Sequence, residues 1–236
     1  MSKTRILSCA LLLVFSSITG AAMAGGDAFT GYQIDTHGQY FSFLGVRAPL
    51  TDGKTTIQPF IQVFGAGLGY TFKVNGQHRE ADVQSATPSV GLKYLQGPWT
   101  FIGLAGPQFR WKQEDQTGGN GRTEQHDVGA YVQGEAFYWD KLGTFHAIAS
   151  YTDLDQFVWG RIRGTHLVYQ ADSPCCTVYL GGDLAGMGNR DFYAVQTGPL
   201  VQIPIGRFYF TVKGGYQYTQ TFQNGGYGGV ELYLPL

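Results

Sequence analysis

Charge is what this sequence has least of. Only 14% of its 236 residues are Asp, Glu, Lys or Arg, and 16 basic residues stand against 17 acidic ones. A soluble domain typically carries about 25%. The near-zero balance excludes a basic face for nucleic acid. Long apolar runs are missing too: past the first 24 residues no stretch approaches the about 20 apolar residues of a membrane helix. No window sustains a helical period, so a helical bundle is excluded as well. Methionine and cysteine are scarce, three of each. In place of these stand 35 glycines and an aromatic content of 15%. Abundant aromatics exclude a disordered chain, and Tyr, Phe, Val and Thr with Gly point to β-structure.

The amino terminus predicts export. Lys3 and Arg5 precede an apolar segment over Ile6–Ile18, and Ala22-Met23-Ala24 offers a small-x-small cleavage site. That is the pattern of a secretory signal peptide. Cys9 lies at the start of the apolar segment, not after it, which argues against a lipid anchor. Residues 1–24 are expected to be removed, leaving one domain over 25–236. Cys175 and Cys176 then remain, adjacent and unable to close anything but a strained ring. They read first as two small residues beside a turn, and second as a redox or intermolecular pair in an oxidising compartment. The five His are scattered, so no metal and no cofactor are expected.

Alternation with a period of two recurs along the chain. Over Phe208–Tyr218 one face carries Phe208, Phe210, Val212, Tyr216 and Tyr218, and the other Tyr209, Thr211, Lys213 and Gln217. Val128–Tyr138, Phe157–Tyr169 and Val230–Leu236 alternate likewise. A soluble sandwich would crowd its polar face with Lys, Glu and Asp, whereas here that face is mostly Gly, Ser, Thr, Gln and Tyr. The apolar face often begins or ends in Tyr or Trp; Trp99 and Trp111 share one face of one strand. An apolar band between aromatic girdles belongs to an outer-membrane barrel. The expected fold is an all-β, antiparallel transmembrane β-barrel of about twelve strands, with ten to fourteen as the range. Connections are expected at Val74–Ala81, Gln113–Glu124, Asp140–Gly143, Thr152–Gln156 and six further places, with an opening strand near Ala28–Ile34 and the next over His37–Ala48. Bulges are expected at Pro59 and Pro88, and a bulge or kink where the alternation changes phase across Gly65-Ala66-Gly67.

Several short segments carry a resemblance. Ser150-Tyr151-Thr152 followed by Phe157-Val158-Trp159-Gly160-Arg161 resembles the Ser-Tyr … Trp-x-Arg hairpin of the BcsS family of bacterial cellulose-biosynthesis proteins. Gly181–Gly198 is similar to that family's Gly-x-Glu … Gly-Asn-x-x-Tyr hairpin. Gly226–Leu232 resembles its closing strand, and Tyr40 … Gly45 … Pro49-Leu50 an early segment. The chain departs at Asp183, where the family pattern has Glu, and at Leu236, where barrels usually end in Phe. The resemblance implies an outer-membrane component associated with cellulose production, with cellulose or another glucan and cellulose-secretion proteins as partners beside the membrane lipid. It carries over no catalytic residues.

The alternation points Arg47, Lys93, Arg110, Lys112, Glu135, Arg161, Arg163, Asp183, Lys213 and Glu231 into the lumen, seven basic and three acidic. One reading is an internal ion-pair network that plugs a narrow barrel, because buried charges require partners. The other is a mildly anion-favouring pore or a saccharide-contacting lumen, with ring faces from Tyr131, Tyr179, Tyr209 and Tyr233. Candidate substrate contacts are Arg110, Glu135, Arg161, Arg163, Asp183, Lys213, Tyr131 and Tyr209. A lipid-modifying enzyme needs a nucleophile within reach of its base near the lipid. His146 and Ser150 share a face, but it is the lumen face; His37, His78 and His126 lie near the outer rim without a Ser and acid beside them. The expectation is therefore no enzyme. A lipid-modifying enzyme and a barrel that binds ligands through its loops stand as alternatives.

Overall fold

The structure, a computed structural model, describes residues 25–51, 55–74, 77–115, 121–170, 177–220 and 224–236. The signal segment, Cys175 and Cys176, and the Gln116–Asn120 part of one expected loop lie outside the described residues. Twelve strands follow one another: β1 Asp27–Asp35, β2 Tyr40–Pro49, β3 Ile57–Val74, β4 Gln77–Gln96, β5 Trp99–Asp115, β6 Arg122–Trp139, β7 Gly143–Thr152, β8 Phe157–Gln170, β9 Thr177–Gly188, β10 Tyr193–Ile205, β11 Phe208–Thr219 and β12 Gly225–Pro235. Each pairs antiparallel with its neighbours in sequence, and β1 pairs with β12, so the sheet is a closed barrel. The seam runs from Asp27↔Pro235 to Asp35↔Tyr227, and the amide of Leu236 donates to the carbonyl of Gly26 at 2.9 Å. Closure leaves no unpaired edge, which is the condition for a sheet to lie in hydrocarbon.

The two faces separate as the alternation predicts. The outer face bears Val63, Val90, Leu92, Val128, Ile162 and Leu184, all exposed. Aromatic rings bound this band. Towards the end that holds both termini, Trp99 packs on Phe101 (5.8 Å), Tyr138 (5.0 Å) and Phe145 (6.3 Å). Towards the opposite end Tyr32 stacks on Tyr40 (6.3 Å) and Tyr193 packs at a tilt on Tyr218 (6.0 Å).

Three expectations are corrected. The hairpins β3–β4 and β5–β6 run past the expected connections: their ladders continue to Val74↔Gln77 and Asp115↔Arg122. These ends are too polar to look like strand, yet they zip above the band, where Arg122 meets Asp115 at 3.2 Å and Asp82 at 3.6 Å. Pro59 and Pro88 cause no bulge; the β3–β4 register is continuous through both. Opposite Pro88 the β4–β5 pairing lapses between Ala86↔Phe109 and Val90↔Ala105 without shifting register. The register is also continuous through Gly65-Ala66-Gly67, so no bulge lies there. The apparent phase change arises because Phe64 points into the lumen. Among the described residues the one register shift lies between Leu167 and Tyr169 on β8 against β9.

Candidate functional site

Antiparallel register assigns the lumen face strand by strand, since directly paired residues share a side. Odd-numbered residues point inward on β1, β2, β4, β6, β8 as far as its register shift, β9, β11 and β12, and even-numbered ones on β3, β5, β7 and β10. By this register all the charged residues assigned inward from the sequence face the lumen, as do Tyr131, Tyr179, Tyr209 and Tyr233.

Glu135, Arg161, Arg163, Asp183 and Lys213 come together in one network. It starts at Lys93, whose Nζ lies 3.6 Å from Asp27. Asp27 is 3.9 Å from Arg47 Nε, which donates to Gln62 at 2.7 Å. The Arg47 guanidinium crosses the lumen to an ion pair with Glu135. Gln133 Nε2 also donates to Glu135, at 2.6 Å, and His146 Nε2 meets its other oxygen at 3.3 Å. His146 Nδ1 in turn lies 3.5 Å from Arg161 Nη2. Arginine can only donate, so Nδ1 accepts and Nε2 carries the ring proton. Arg161 reaches Glu231 at 3.1 Å, Arg163 reaches it at 2.8 Å, and Lys213 at 3.0 Å. Asp183 closes the network, 3.2 Å from Arg163 and accepting from the Tyr227 hydroxyl at 3.0 Å.

Two of these links span the lumen: β2 to β6 through Arg47–Glu135, and β8 to β12 through Arg161 and Arg163 to Glu231. Arg47 is 7% exposed, Arg163 8% and Asp183 6%, so the lumen is filled at this level. Burial of charge is tolerable only with partners on most polar atoms, and these charges have them, except that Asp27 Oδ1 and the Nε atoms of Arg161 and Arg163 accept or donate no hydrogen bond. Five cations (Arg47, Lys93, Arg161, Arg163, Lys213) face four carboxylates (Asp27, Glu135, Asp183, Glu231). The sequence-based excess of basic groups shrinks because Asp27 and Asp127 also face inward. Asp27 lies one residue before the expected opening strand, and Asp127 one residue before the alternating run that begins at Val128.

Below the network, at the termini end, Trp139 on β6 meets Tyr209 on β11 edge to face at 4.8 Å. Tyr233 packs beside Tyr209 at 6.2 Å. Arg110 stands apart from the network, towards the opposite end. It pairs with Asp127 at 2.7 Å and with Asp155, which belongs to the short 3-10 turn Leu154–Gln156 joining β7 to β8. That turn sits against β6 at Gly129, where a Cβ would collide with Asp153 and Leu154. Lys112 pairs with Glu114 at 2.7 Å, and the Tyr131 hydroxyl donates to Gln133 at 2.5 Å.

Sequence reasoning passed over the aromatic side of the lumen. Phe29, Phe41, Phe43 and Phe64 all face inward on β1–β3, with centroids 5.7 Å apart for Phe41–Phe43, 6.3 Å for Phe43–Phe64 and 6.3 Å for Phe29–Phe64. A signal was present: Phe29-x-Gly31 and Phe43-x-Gly45 alternate ring and gap on one face. Of the histidines set aside, His37 bonds the carbonyl of Asn224 at 3.1 Å, and His126 faces outward by register. The His78 side chain lies outside the described residues.

The family model described as cellulose biosynthesis protein BcsS matches residues 21–236. Among solved structures, the β-domain of the Bordetella autotransporter BrkA is similar with a TM-score of 0.57 at 13% identity, covering 90% of this chain and 99% of that one. The translocator domain of the autotransporter NalP from Neisseria meningitidis is similar with a TM-score of 0.54 at 10% identity, covering 99% of this chain and 97% of that one. These likenesses concern the barrel fold. No curated protein matches the sequence.

Proposed function

This chain belongs to the cellulose biosynthesis protein BcsS family, and from that premise we propose that it is a non-enzymatic accessory of cellulose secretion, seated in the outer membrane with its termini in the periplasm. It anchors or guides the glucan and the secretion complex as a closed barrel; it is not the open conduit. The observation that carries this reading is the ion network, which ties β2 to β6 and β8 to β12 across the lumen. A barrel of about eight strands is filled by side chains, and open channels belong to barrels of about sixteen. Twelve strands with a paired polar filling fit the closed side of that range.

The test is current through the purified, folded protein in a planar lipid bilayer, with and without cello-oligosaccharides. The unmodified protein is expected to be silent, and Arg161→Ala with Arg163→Ala to conduct. Steady channels in the unmodified protein that the sugar blocks would make it a conduit instead. Deletion in the producing cell is expected to reduce or misplace extracellular cellulose; unchanged polymer would overturn the accessory role.

A further inference from the structure

We propose that the lumen wall formed by β1, β2 and β3 is a binding track for an extended β-linked glucan chain, entered from the end opposite the termini. The inference rests on the role in cellulose secretion argued above. Its basis is the placement of four rings. Phe41 lies nearest the opposite end, Phe43 follows, then Phe64 and Phe29, and the Arg47 guanidinium stands 5.0 Å from the Phe29 ring at the edge of the ion network. The track therefore runs down the wall and stops at the plug.

Two of the four rings lie along the wall instead of standing out from it. The Phe29 ring occupies the space above Gly45, and the Phe43 ring the space above Gly31; a Cβ at either glycine would collide with it. The ring planes stack at 28° for Phe29–Phe64 and 29° for Phe43–Phe64, and are tilted at 35° for Phe41–Phe43 and 47° for Phe29–Phe43. Phe29 and Phe43 thus lie against the sheet over their glycines, and all four inward-facing rings are only half-buried, which leaves ring surface open to the lumen.

The chemistry of this surface selects its ligand. A run of apolar rings with polar residues beside it suits a molecule that is apolar on its faces and polar at its edges. A pyranose chain joined by equatorial bonds is such a ribbon: C–H groups cover its faces and hydroxyls line its sides. Gln33 and Ser85 face the lumen beside the rings and are half-buried, within the wall that such hydroxyls would meet. A lipid tail would be offered to the outer face, and it would leave these polar flanks unpaired. Because the plug closes the other end, the track receives a chain already outside the membrane and holds it at the cell surface.

The experiment is calorimetric titration of the folded barrel in micelles with cellohexaose and, separately, maltohexaose. Phe43→Leu with Phe64→Leu keeps apolar volume and removes two ring faces. Phe101→Leu, on the lipid side, controls for loss of a ring as such, and heat-modifiable gel mobility checks folding. Cellohexaose is expected to bind, more tightly than maltohexaose, and the double variant to weaken binding about tenfold while Phe101→Leu does not. No binding of cellohexaose, or equal binding by the double variant, overturns the track; equal affinity for maltohexaose overturns the choice of an extended chain. Neither result touches the closed-barrel accessory role, which the bilayer currents and the deletion phenotype decide separately.

Discussion

Arg47 and Glu135 stand four strands apart around the barrel, and their side chains meet in the middle of it. Each closes part of the other's electrostatic deficit, since both are almost removed from water. Removing one partner of a buried pair costs about 3–5 kcal/mol, because the survivor's charge is left uncompensated. Glu135→Ala is therefore expected to lower the urea midpoint of the barrel in lipid vesicles by a corresponding amount, and to strand His146 as well. Arg47→Met with Glu135→Leu removes both charges and should recover most of the loss. A single variant that unfolds with the wild type would mean that the pair adds nothing to stability.

The contact of Phe43 with Gly31 makes a second prediction. A methyl at position 31 would collide with the Phe43 ring, so Gly31→Ala is expected to destabilise the barrel by displacing it. Phe43→Ala vacates that space at the cost of the ring's own packing. The double variant should then lose less than the sum of the two single losses, with a coupling of about 0.5–3 kcal/mol in a double-mutant cycle. Additive losses would mean that the ring does not rest on the glycine.

The barrel itself was open to sequence reasoning because period-two alternation acts locally, and residues such as Arg161, Arg163 and Lys213 fall on the lumen side whatever happens elsewhere. What that logic could not supply was who meets whom. Pairing tells that Arg163 neighbours Asp183 on β9, but Glu231 on β12 becomes its partner only once closure and shear bring opposite walls together. Asp27 was hidden for a simpler reason: it is the first residue of its strand. Phe29 and Phe43 were hidden because an apolar side chain in a membrane barrel ordinarily faces lipid, whereas a ring can be held inside the barrel by lying over glycine.

The turn between β6 and β7 supplies a pH dependence. Asp140 accepts from the Tyr138 hydroxyl at 2.8 Å and from the amides of Leu142 and Gly143 at 2.8 and 2.9 Å. The Tyr138 hydroxyl above all, with these amides, holds its carboxyl below the ordinary aspartate value. A carboxyl with a depressed folded-state value stabilises fully above its unfolded value, near pH 4, and less as pH falls through the folded one. Asp140→Ala should thus melt below the wild type near neutral pH, with the gap closing in acid. A gap that stays constant down to low pH would mean that ionisation of Asp140 is not what the turn uses.

Glu231 offers the sharpest test of the network, because Arg161, Arg163 and Lys213 all converge on it within 3.1 Å. Glu231→Gln keeps the shape and removes the charge, leaving those three cations to share Asp183. Their mutual repulsion should loosen the filling and leave a lumen with excess positive charge. The expected result is a current in planar bilayers whose reversal potential, under a potassium chloride gradient, shifts towards that of chloride. Arg161→Gln with Arg163→Gln removes two of the cations and leaves Asp183 and Glu231 against Lys213, so its current should shift towards potassium. Opposite selectivities from the two variants require that these side chains themselves fill the lumen. The same selectivity from both would place the barrier elsewhere, with the Trp139–Tyr209 contact as the next candidate.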